Sequence, residues 1–131
     1  LDYAYELFTR AAEEGHAEGL ANLGVMFNYG YATRPDPLAS MAIYEMAAAM
    51  GNGRAAVNLA FDLIEGPEGL RDPVRGWAWC IYGMANGAAD ETADLQSDCA
   101  YLAGLLDEDP GDVSDHRMVW MDIELFHQQI W

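Results

Sequence analysis

Four carboxylates, Asp90, Glu91, Asp94 and Asp98, follow one another closely, and Asp94 and Asp98 share a helix face at a spacing of four. Such a pair could hold calcium or divide acid and base work between two carboxyls. A calcium loop needs a glycine-centred turn between its ligands, and none stands here. The cluster therefore reads as a solvated acidic face at a helix N-terminus, where the dipole favours negative charge. The histidines do no better as metal ligands: His16 falls in a short turn, while His116 and His127 lie about 16 Å apart along a helix. Cys80 and Cys99 are too few and too far apart for a zinc site or a disulfide framework, and are expected as free thiols in the core. No His-Glu-x-x-His helix, nucleophile elbow, phosphate loop or paired-cysteine metal motif occurs. The chain is expected to have no catalytic residue, no metal and no cofactor.

Charge narrows the partners. The 131 residues hold 22 acidic side chains against six basic ones, all Arg, for a net charge of −16. A nucleic acid would meet a repelling surface, and so would an anionic membrane. No apolar run approaches the roughly 18 residues of a spanning helix, and the first residues lack a charged-then-apolar leader pattern. With 52% hydrophobic residues interleaved among polar ones, the chain can bury one core, either compact or as a short repeat array. The charge keeps such an array soluble and apart from its copies, or it faces a basic protein.

The elements behind these residues recur. Gly15, Gly51 and Gly87 stand 36 residues apart, each after a run of small and apolar side chains. Small residues match at Ala4, Ser40 and Gly76 and at Ala11, Ala47 and Gly83, with Leu7, Ile43 and Trp79 as bulk between them. That alternation suits two helices in close contact. A second segment keeps the same period: Leu20-Ala-Asn-Leu-Gly24 matches Ala56-Val-Asn-Leu-Ala60, Phe27 matches Leu63, and Gly30 matches Gly66. Asp36-Pro37 and Asp72-Pro73 supply a capping carboxylate and a first-turn proline, and Gly30, Gly51, Gly66 and Gly87 end helices where left-handed geometry is tolerated. The pattern predicts an all-α chain of about seven helices, at 3–14, 17–29, 37–50, 53–65, 73–86, 90–106 and 113–130, with no strand.

Ala17 to Gly30, with Leu23-Gly24, Phe27 and the closing Gly30, resembles the first helix of a Sel1-like repeat. Ser40 to Gly51, with Tyr44 and Ala47-Ala48 before the glycine, resembles the second. The resemblance implies a right-handed α-solenoid of antiparallel helix pairs, related to tetratricopeptide repeats, that binds other proteins. Residues 1–96 would form about two and a half repeats of a single structural domain. Gln96 then stands where Gly24 and Ala60 allow close approach, and Leu102 where Gly30 and Gly66 end a helix, so 97–131 is expected as a diverged cap. Leu1 falls inside a second helix, which predicts an open end there. Sel1-like proteins are common in bacteria, which suggests a soluble protein of the bacterial cytoplasm or periplasm without deciding between them.

In stacked pairs of this kind the first helices line the concave side. The expected partner-binding residues are Asn22, Val25, Tyr29, Arg54, Asn58 and Phe61, with Ala21, Asn28, Val57 and Glu65 beside them and Tyr101 extending the row. An Asn amide both donates to and accepts from an extended backbone, and Phe61 and Tyr29 could hold a side chain. Asn is also usual at this place in Sel1-like units, so Asn22 and Asn58 are equally readable as bonding to a neighbouring helix or loop. Trp79 is expected as core and Trp77 as packing between units. The leading expectation is a scaffold that captures a protein or peptide segment and performs no catalysis. The alternative is an acidic inhibitor or immunity-type protein, since residues 90–124 hold eleven acids and one Arg and could mask a basic surface.

Overall fold

A computed structural model describes residues 2–30 and 34–108 of the chain. Among them run six α-helices: α1 (Asp2–Glu13), α2 (Ala17–Tyr29), α3 (Pro37–Ala49), α4 (Gly53–Glu65), α5 (Pro73–Asn86) and α6 (Thr92–Glu108). Short 3-10 turns at Glu68–Leu70 and Ala89–Glu91 precede α5 and α6, and no strand occurs among the described residues. The helix expected over 113–130, with His116 and His127, lies outside the described residues.

The boundaries have local causes. Asp36 accepts from the Ala39 amide at 3.1 Å and Asp72 from the Arg75 amide at 3.3 Å, each just ahead of a proline that needs no helical partner. Asn52 does the same for α4, accepting from the Ala55 amide at 2.8 Å. Caps of this type stabilise by about 1 kcal/mol each. Gly15 (φ 83°) and Gly51 (φ 97°) turn the chain between α1 and α2 and between α3 and α4 in the left-handed region that glycine enters freely.

Gly66 and Gly87 depart from that expectation, with φ of −75° and −66°. Close approach is the reason for glycine at Gly87. A Cβ on Gly87 would collide with Leu95 Cδ1 of α6, and one on Gly53, at the start of α4, would lie 2.5 Å from the Gly87 Cα.

Each helix packs on the next in sequence, and α4 also touches α6. One apolar cluster gathers Leu20, Tyr44, Ala47, Ala48, Ala55, Ala56, Leu59 and Leu63. A second gathers Val57, Ile64, Trp77, Cys80, Ile81, Leu95, Cys99, Leu102 and Leu106. Trp79 packs against both. Trp77, expected as packing between units, belongs to the core, whereas Trp79, expected as core, is half-buried. Leu7 is 44% exposed and Ile43 half-buried, so the deepest large side chain of α3 is Tyr44, at 2%.

The cysteines are not free thiols. Cys80 of α5 and Cys99 of α6 form a disulfide with Cα atoms 5.8 Å apart. Their separation of 19 residues carried no sign of this; packing of α5 against α6 brings the two side chains to one level.

Candidate functional site

Alternate helices meet along one face. Val25, Asn28 and Tyr29 of α2, Arg54, Asn58, Phe61, Asp62 and Glu65 of α4, and Asp98 of α6 line a groove of about 780 Å³, with Tyr44 of α3 and Gly66-Pro67 completing it. The α4 residues fall at intervals of three and four, one stripe of that helix, while Ala55, Ala56, Leu59, Ala60, Leu63 and Ile64 are buried on its other faces.

Gly24 makes the floor possible. A Cβ there would lie 2.6 Å from Cε1 of Tyr44, and the Ser40 hydroxyl donates to the Gly24 carbonyl at 2.9 Å, so α2 and α3 touch backbone to side chain. The Tyr44 ring is thereby buried, and burial pushes its phenol up to about 12.

Five of the six expected binding residues line this groove: Val25, Tyr29, Arg54, Asn58 and Phe61. Asn22 does not. It is half-buried and lies outside the lining, although Asn58 stands one period later on the matching helix. Ala21 and Val57 are core, 7% and 0% exposed. Tyr101 extends the row as expected, stacking on Phe61 with centroids 6.1 Å apart and donating its hydroxyl to Glu65 Oε2 at 2.9 Å.

Asp98 corrects the reading of the acidic cluster. It is only 35% exposed and accepts from Arg54 Nη1 at 2.6 Å, tying α6 to the start of α4, whereas Asp94 stays on the exposed face. This pair fixes the Arg54 guanidinium at one end of the groove.

Asp62 was not among the expected residues. It is 7% exposed and its Oδ2 is buried without a hydrogen-bond partner, and this desolvation raises its carboxyl from 3.8 to about 6. One signal was available: the residue 36 positions earlier is Met26, a core side chain 4% exposed, so an acid occupies an apolar place in the pattern. Among the described residues no three side chains of metal-ligand type converge, and no helix is long and apolar enough to cross a membrane.

The fold and groove define an all-helical protein with a polar cleft framed by α2, α4 and α6. Comparison with protein-family models, curated proteins and solved structures finds no match to this chain.

Proposed function

We infer that the protein is a Sel1-like scaffold whose groove captures an extended segment of a partner protein, without turning it over. The observation that carries this reading is the convergence of Val25, Tyr29, Asn58 and Phe61 in one open cleft. Its walls offer what a peptide needs: an amide able to both donate and accept on a main chain, and aromatic faces for a side chain. Open space of this size suits several residues of extended chain better than a closed substrate pocket does. The 36-residue recurrence of small, bulky and glycine positions supports the stacking of helix pairs, with α2, α4 and α6 as the first helices of successive units. The Cys80–Cys99 disulfide adds a compartment to the reading, an oxidising one such as the bacterial periplasm.

The test is selection from a random peptide library displayed on phage, with the full chain as bait. Enriched peptides should lose at least tenfold in affinity for Phe61→Ala and about fivefold for Asn58→Ala, roughly 1 kcal/mol and the scale of one neutral hydrogen bond. Asn22→Ala, outside the groove, should bind as the native chain does. Peptides that bind all three variants equally would place the site elsewhere.

A further inference from the structure

The groove's charged groups are matched to one another with one exception. Arg54 is held by Asp98 at 2.6 Å, and Glu65 accepts from Tyr101 at 2.9 Å. Asp62 lies between, one helical turn beyond Asn58 and beside Phe61, and Oδ2 has no donor. Arg54 cannot serve it, being eight residues back on the same helix, about 12 Å along the axis, and committed to Asp98. A buried carboxylate without a partner is costly, and folded chains keep one where something else completes it.

We propose, building on the groove-binding reading above, that the captured segment is basic and that one of its lysine or arginine side chains enters the groove to place its cation on Asp62.

Three features select that class. The lining sets one Arg against three carboxylates, so a cationic segment is attracted and an acidic one repelled. Val25, Tyr29 and Phe61 offer apolar wall for the aliphatic stem of Lys or Arg, leaving only its head to be matched by charge. A bare metal ion is a poorer occupant, because no third ligand converges beside Asp62 among the described residues.

The groups facing Asp62 make the consequence of protonation simple. Tyr44 of α3 is a phenol that burial pushes up to about 12, Asn58 on α4 does not ionise, Tyr29 of α2 presents its ring to the groove, and Arg54, Glu65 and Asp98 are engaged as described. With its carboxyl near 6, Asp62 is charged at pH 7.5 and about nine-tenths protonated at pH 5, so protons compete with the incoming cation.

The experiment follows the same library selection with defined, end-blocked peptides free of His, Asp and Glu. Enriched sequences should share a Lys or Arg at one register. Replacing it by norleucine should cost tenfold or more, and binding should weaken roughly tenfold from pH 7.5 to pH 5. Asp62→Asn keeps the side chain's shape; it should remove both the preference and the pH dependence. Asp94→Asn removes one charge from the exposed face of α6 and should leave both intact. Enrichment of neutral or acidic peptides, or basic peptides that bind Asp62→Asn within twofold of the native chain, would overturn the proposal while leaving the groove reading in place. If no peptide is enriched, both fall.

Discussion

Helices α2 and α4 stand 36 residues apart and read almost alike, with Leu-Ala-Asn-Leu-Gly in one and Ala-Val-Asn-Leu-Ala in the other. Met26 of the first fills core at 4% exposure. Asp62 of the second is buried nearly as deeply, with a carboxylate oxygen that nothing satisfies. The neighbourhoods differ as well. The α2 N-terminus has His16 at its cap with no side-chain bond, whereas α4 is capped by Asn52, packed on α3, α5 and α6, and tied to α6 by Arg54–Asp98. A helix held from several sides can keep a buried charge in place that would unsettle a less supported one. The departure from the pattern, and not the pattern, is where the unsatisfied carboxylate oxygen sits.

Exchanging the two residues' roles should have the largest effect. Met26→Asp puts an unpaired charge into core and is expected to lower stability by about 3–5 kcal/mol. Asp62→Met, restoring the apolar type, should raise it by roughly 1–3 kcal/mol. Urea unfolding at pH 7 measures both; equal and opposite small changes would erase the distinction between the sites.

The flanks of α4 differ covalently, since a disulfide joins α5 to α6 on one side and none joins α2 to α3 on the other. Replacing Cys80 and Cys99 together by Ala should cost about 3 kcal/mol, the loop-closure value for a loop near 19 residues. Hydrogen exchange should then quicken in α5 and α6 first, leaving α2 close to native. Uniform quickening across all six helices would mean that the two flanks unfold as one unit.

A smaller effect separates Asp62 from the other carboxylates by its sign. Its folded value near 6 exceeds its ordinary 3.8, so the folded chain holds the proton more tightly than the unfolded one. The associated stability is fully present below about pH 4 and is lost as pH rises through about 6, a change of roughly 2–3 kcal/mol. The stability difference between the native chain and Asp62→Asn should therefore grow less favourable to the native chain from pH 4 to pH 7. A flat difference would mean that Asp62 is solvated in the folded state.

Much of the secondary structure was legible from the chain. Asp-Pro pairs, apolar spacing and recurrent glycines placed α2, α4 and α5 at their observed limits and the other described helices within two residues, because caps and helical periods are local properties. Five groove residues were legible too, since the face of a helix follows from its period once the neighbours are assigned. Asp98 was misread because a run of acids looks solvated until an Arg from another helix, 44 residues away, meets one of them. Asn22 stands outside the groove although the period makes it equal to Asn58, because the lining gathers around α4.

The amino-acid sequence by itself determined an acidic, all-helical chain with small residues wherever helices touch, because these depend on composition and on spacing along one strand of chain. Only the tertiary structure decided that Cys80 meets Cys99, that Arg54 is spent on Asp98, and that Asp62 Oδ2 is buried without a hydrogen-bond partner. Those facts depend on distances between residues remote in sequence, and a single acid at an apolar place in a repeat gains its meaning from what surrounds it.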